Sequence, residues 1–89
     1  MIAIRLAAYL NRLRGDEEYK RESERRFVPT YGELAEEVGI SPVTMSRIAN
    51  GHVKQLNLET ADAIITALRK RGFAMEISNL LVYYPPESA

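Results

Sequence analysis

Apolar positions recur at helical spacing in four stretches of the chain and then run together near its end. Ile2, Leu6, Tyr9, Leu10 and Leu13 predict an amphipathic N-terminal helix that ends near Gly15. Leu34, Ala35 and Val38 share one face of a second helix, and Met45 and Ile48 share one face of a third, with Ile40 between them. Ala61, Ile64, Ile65 and Leu68 stripe a fourth helix from Leu58 to about Arg71. Phe73, Ile77, Leu80 and Leu81 fit a short fifth helix closing the core, after which Val82, Tyr83 and Tyr84 run on until Pro85 and Pro86. The pattern predicts an all-α fold, a compact bundle of about five helices.

Polar residues sharpen the boundaries of the middle helices. Thr30 followed by Glu33 forms a capping box for a helix over 31–38. Gly39 stands where that helix must stop and the chain reverse, since a left-handed backbone costs glycine almost nothing. Ser41 then caps the next helix and Pro42 takes its first position, where a missing N–H does no harm. Ala35 is small enough for two helices to cross closely. Residues 31–50 therefore read as a helix-turn-helix, against the blander reading of any helical hairpin in a small bundle. Asn57 caps the fourth helix, Glu59 and Asp62 sit at its positive end, Arg69, Lys70 and Arg71 at its negative end, and Gly72 stops it.

Between the first two helices, residues 14–28 carry mixed charge and few apolar groups. Glu17 with Arg21 and Glu22 with Arg26 are spaced as i,i+4 pairs, which predicts a short exposed helix with Tyr19 and Phe27 pinning its ends. A mobile arm is the competing reading, because so polar a segment buries little. Arg25 and Arg26 stand just before the second helix, within reach of a nucleic-acid backbone, although a solvated surface role explains them more simply. Arg5 and Arg12 share a face of the first helix and read as solvated.

With 12 basic and 12 acidic residues the chain is neutral, so bulk charge does not drive it onto nucleic acid. Distribution changes that picture: from Val38 to Leu58 there is no acid, while Arg47, His52 and Lys54 lie inside the window. The 89 residues imply a single helix-turn-helix domain over 1–89, comprising the charged insertion at 14–28, the motif at 31–50 and a tail at 82–89. There is no room for a fused effector-binding or catalytic unit. Cysteine is absent, which excludes disulfides and thiolate metal sites and agrees with a cytoplasmic location. The apolar runs are too short to span a membrane, and arginines inside the first apolar pattern exclude a signal peptide. One histidine, no phosphate-binding glycine loop and no converging carboxylates argue against an enzyme, so no catalytic residue, metal or cofactor is expected.

The stretch GELAEEVGIS, followed after Pro42 by VTMSRIANG, resembles the Cro and phage-repressor family of helix-turn-helix DNA-binding domains. The similarity covers about residues 30–81 and implies a lambda-repressor-like bundle whose third helix lies in the major groove of double-stranded DNA. Carried over by position, Ser41, Pro42, Val43, Ser46 and Arg47 fall where base readers lie, and Tyr31, Thr44, Asn50, His52 and Lys54 fall at or near positions that meet phosphates. The family often has glutamine at the start of both motif helices, whereas here Tyr31 and Pro42–Val43 stand there. Direct readout therefore narrows to Arg47, suited to guanine O6 and N7, and to Val43, suited to a thymine methyl. The second departure is the charged run before Thr30.

The resemblance implies a prokaryotic or phage transcriptional regulator, a repressor binding an inverted repeat as a homodimer. Val82, Tyr83 and Tyr84 either finish the core or form the dimer or partner surface. A cognate toxin is a further possible partner, since antitoxins of toxin–antitoxin pairs resemble this family. The alternative from a different class is a protein-interaction module that kept the fold and lost DNA binding.

Overall fold

A computed structural model describes residues 1–86, so 87–89 of the expected tail lie outside the described residues. The order of elements is β1 (Ile2–Ile4), α1 (Leu6–Glu18), α2 (Tyr31–Val38), α3 (Pro42–Ala49), α4 (Leu58–Lys70), α5 (Ile77–Leu80) and β2 (Leu81–Tyr83), with a single 3-10 turn at Glu22–Glu24 before α2. The five-helix, all-α bundle is as expected, and two short strands join its ends.

One cluster of buried side chains draws on every helix. Leu6, Leu10 and Leu13 of α1 meet Leu34 and Ala35 of α2, Met45 and Ile48 of α3, Ile64 and Leu68 of α4 and Leu80 of α5. Phe73 and Met75, in the α4–α5 connection, are as buried as the helical residues. Fully burying one such side chain contributes roughly 1.5–3 kcal/mol, more than a typical cap at about 1 kcal/mol or a typical exposed ion pair. The predicted starts of α2, α3 and α4 hold, because each cap forms: Thr30 Oγ1 accepts from Glu33 N at 3.2 Å, Ser41 Oγ from Thr44 N at 3.1 Å and Asn57 Oδ1 from Thr60 N at 2.7 Å.

Three local expectations are corrected. The first helix neither starts at Ile2 nor ends near Gly15. Ile2 lies in β1, paired antiparallel with Tyr83, while Ala3 pairs with Val82 and Ile4 with Leu81. Three residues are too few to tell a twofold from a 3.6-fold period, and the partner strand is almost a chain length away. At the other end α1 runs through Gly15 to Glu18, because contacts from the following loop hold its last turn. Arg25 donates Nη2 to Glu18 O at 3.0 Å and Nε to Lys20 O at 3.1 Å, taking up carbonyls that the helix end leaves unpaired.

The second correction concerns residues 14–28, which form neither an exposed helix nor an arm detached from the body. Glu17 is 5 % exposed, on the stripe begun by Leu6, Leu10 and Leu13. It accepts from Arg26 N at 2.6 Å and forms ion pairs with Lys20 Nζ at 2.8 Å and Arg26 Nη2 at 3.2 Å, in place of the expected Glu17–Arg21 and Glu22–Arg26 pairs. Arg26 also donates to Gly72 O and stacks 4.4 Å over the Phe73 ring, which ties the segment to the end of α4. Tyr19 and Phe27 pin nothing, being 94 % and 66 % exposed. Burial there goes instead to Pro29.

The third correction lies in the tail. Leu81, expected in the fifth helix, instead begins β2 with Val82 and Tyr83, Phe73 lies before α5, and Tyr84 N donates to Met1 O at 2.7 Å. Leu81 packs against the core, Tyr83 is exposed, and the Tyr84 hydroxyl accepts from Arg5.

Candidate nucleic-acid interface

The α2–α3 unit depends on a turn that few residues other than glycine make at no cost. Gly39 sits at φ 89° and ψ 30°, and both Gly39 N (2.8 Å) and Ile40 N (3.0 Å) donate to Ala35 O. A fully buried Ala35 lets α3 approach α2. Met45, Ile48 and Ala49 then fill the side of α3 that faces the core, so the opposite side is presented outward by packing rather than by its own preference.

That outward side carries Ser41, Pro42, Val43, Thr44, Arg47 and Asn50, all exposed, with Ser46 half-buried at its edge. Several of the polar groups are already engaged within the chain. Ser41 Oγ holds the Thr44 N–H and lies 2.8 Å from Thr44 Oγ1. Asn50 Nδ2 donates to Ser46 O at 2.8 Å and approaches Ser46 Oγ at 3.4 Å. Val43 is 70 % exposed, so most of its apolar surface faces solvent. The Arg47 side chain makes no hydrogen bond or ion pair among the described residues, and the same holds for His52 and Lys54 in the loop after α3. Tyr31 is half-buried at the first position of α2 and packs against the core. The structure thus brings Val43, Arg47 and the engaged Ser41–Thr44 and Ser46–Asn50 pairs onto one helix face, with His52 and Lys54 in the connection that follows.

Two other arginines weighed for nucleic acid are committed elsewhere: Arg25 to the end of α1, and Arg26 to Glu17, Gly72 and Phe73. The two arginines at the basic end of α4 are likewise occupied. Arg69 donates Nε to Met75 O at 2.8 Å and pairs with Glu76 at 2.8 Å, while Arg71 pairs with Glu37.

Sequence reasoning missed the Glu17 centre. Hydrogen bonds from Lys20 and from the Arg26 backbone outweigh desolvation and bring its carboxyl down from 4.5 to about 2. The signal was present, since Glu17 follows Leu13 and Leu10 at i+4 and i+7 on the buried stripe. Glu33 is also shifted downward, chiefly by the Thr30 N–H of the capping box. Among the described residues no group of three or more His, Cys, Asp or Glu side chains converges as a metal site would require, and no helix is long and apolar enough to cross a membrane.

The profile of the Cro/C1-type HTH DNA-binding domain matches residues 23–85, most of the chain and all of the α2–α3 unit. No curated protein and no solved structure is similar enough to count as a match.

Proposed function

The chain belongs to the family of Cro/C1-type helix-turn-helix DNA-binding domains, and we propose from that premise that it is a sequence-specific transcriptional regulator, a dimeric repressor on an inverted-repeat operator. The observation that carries the reading is the outward face of α3, where Arg47 has no ion-pair partner among the described residues and stands beside the exposed side chain of Val43. A guanidinium held on a rigid helix suits the paired acceptors of guanine, and a bare isopropyl group suits a thymine methyl. Ser41, Pro42 and Ser46 complete the base-reading surface, with Ser41 and Ser46 contributing less because their oxygens already serve the chain. Tyr31, Thr44, Asn50, His52 and Lys54 take phosphates and set the register.

A single motif of this size buries little surface on DNA, so a two-fold dimer reading half-sites about 34–36 Å apart supplies the affinity. This reading takes Val82, Tyr83 and Tyr84 as the dimer surface, and the exposure of Tyr83 beside that of its cross-strand neighbour Ile2 supports it. A second reading, an antitoxin that also binds a toxin protein, is favoured by the exposed aromatic pair Tyr19 and Phe27 in the segment before α2.

The test is a binding selection from random duplex DNA with the wild-type chain and with Arg47→Ala. An enriched palindrome is expected, and the variant binds it more weakly by about 1–3 kcal/mol, roughly 5- to 150-fold in Kd, with the loss concentrated at one base position per half-site. No enrichment, or a loss spread evenly over all sequences, refutes the assignment.

A further inference from the structure

An open groove of about 250 Å³ runs between the outer face of α1 and the α5–β2 corner, lined among others by Arg5, Ala8, Tyr9, Arg12, Ser78 and Asn79. Among the described residues no carboxylate lines it. Among the described residues the four ion pairs use Lys20, Arg26, Arg69 and Arg71, and neither groove arginine takes part in one. Arg5 instead donates to the Tyr84 hydroxyl, and the Arg12 guanidinium lies 5.1 Å from the centre of the Tyr9 ring. Both contacts restrain a guanidinium without neutralising it, which leaves two positive charges at one concavity.

The remaining polar groups can each donate a hydrogen bond. Asn79 spends its Oδ1 on the Glu76 N–H at 2.8 Å, so its amide NH2 group remains as a donor. Ser78 adds a hydroxyl with no partner among the described residues. Ala8 stands between the arginines in the helical order 5, 8, 12, and its methyl group keeps the space between them open.

We propose that this groove binds a small phosphate-type oxyanion, held by Arg5 and Arg12 with Asn79 and Ser78 as further donors. The lining offers a cation only hydroxyl and amide oxygens beside two guanidiniums, whereas paired guanidiniums match tetrahedral oxyanions geometrically. The volume lies below the roughly 300–1,000 Å³ of pockets that enclose drug-sized ligands, which fits a phosphate or phosphate ester rather than a whole nucleotide. The phosphate comes either from a free small molecule or from a DNA backbone. The site does not rest on the DNA-binding reading, and its first test contains no DNA.

In that test potassium phosphate is titrated into the full chain at constant ionic strength, with potassium chloride as the reference, while the arginine Nε–H and Asn79 side-chain NMR signals are followed. Saturable shifts of Arg5, Arg12 and Asn79 with phosphate alone are expected. Arg12→Gln, which leaves the Arg5–Tyr84 contact in place, should weaken binding at least tenfold, while Arg21→Gln should leave it unchanged. Equal shifts with chloride, absence of saturation, or undiminished binding by Arg12→Gln would overturn the proposal. A second arm names the source: if Arg5→Gln/Arg12→Gln lowers the salt slope of duplex binding by close to two, the groove takes backbone phosphates, since each neutralised phosphate contributes about 0.9. An unchanged slope, with phosphate binding intact in the first arm, assigns it to a free phosphate.

Discussion

Adding one methyl group at either of two glycines should change stability in opposite directions. Gly39 has φ 89°, and a Cβ built there meets nothing within 4 Å, so steric collision contributes nothing and the whole cost is conformational. A residue with a Cβ pays about 1–2 kcal/mol for the left-handed backbone, offset by roughly 0.4–1 kcal/mol because alanine restricts the unfolded chain. The net expectation for Gly39→Ala is a loss of about 1 kcal/mol. At Gly15 the backbone is not left-handed and the position lies inside α1, again with nothing within 4 Å. There the same substitution removes a flexible residue from a helix interior and gains about 0.5–1 kcal/mol.

The assay is urea unfolding followed by circular dichroism, with the slope m required to stay constant so that a midpoint shift reports stability. In thermal unfolding about 1 kcal/mol corresponds to roughly 4–8 °C for a domain of this size. Gly39→Ala should lower Tm by that amount and Gly15→Ala raise it by somewhat less. The two sites share no contact, so the double variant should fall near the parent. Gly39→Asn should lose less than Gly39→Ala, because asparagine tolerates the left-handed region better. A destabilising Gly15→Ala would return the end of α1 to Gly15, and a neutral or stabilising Gly39→Ala would refute the turn on which the placement of α3 depends.

Other expectations follow from single contacts. The Glu17 carboxyl titrates near 2 in the folded chain against 4.5 ordinarily. A depressed folded value means that its stabilising contribution is complete above about pH 4.5 and disappears as pH falls toward 2. Glu17→Gln should therefore lower Tm at pH 7 and converge on the parent near pH 2, and parallel Tm curves across that range would contradict the assignment. Ser41→Ala removes the cap of α3 and should cost about 0.5–2 kcal/mol in denaturant unfolding; a neutral effect would mean that the cap is replaced by water. Tyr83→Asp, at an exposed position, should leave the fold intact by circular dichroism and convert a dimer to a monomer by sedimentation, whereas an unchanged mass would exclude Tyr83 from the dimer surface.

The parts legible in the sequence were those whose physics is local. Caps at Thr30, Ser41 and Asn57 act on groups three residues away, and the stripes Leu34–Ala35 and Ala61–Ile64–Leu68 repeat within one element, so composition and spacing were enough. The errors lay where a distant partner decided the outcome. Ile2 is a strand residue because of Tyr83, α1 passes Gly15 because of Arg25, and Glu17 is buried because Arg26 comes back over it from the loop. The same division runs through the candidate site. The exposure of Val43 and Arg47 follows from the α3 stripe, but the contacts of the Thr44 hydroxyl with Ser41 and of Asn50 with Ser46 depend on side-chain rotamers that spacing does not fix, and they concentrate readout on fewer atoms than exposure alone suggests.

Net neutrality and a DNA-facing role are reconciled by where the charges neutralise one another. Among the described residues the four ion pairs lie between α1 and the loop after it, between α2 and the end of α4, and across the α4–α5 connection; none involves α3 or the loop that follows it. Acids are likewise absent from Val38 to Leu58, the stretch that contains α3. At physiological ionic strength a charge is felt over about 8 Å, so a phosphate against α3 responds to Arg47, His52 and Lys54 far more than to the carboxylates on α1. The local excess is small, one arginine and one lysine beside a single histidine, and it predicts a correspondingly shallow salt dependence for the chain. Lys54→Ala should reduce the salt slope by about one and leave the preferred sequence unchanged, whereas Arg47→Ala should change the sequence preference. An identical effect of the two variants on sequence preference would show that α3 reads charge alone.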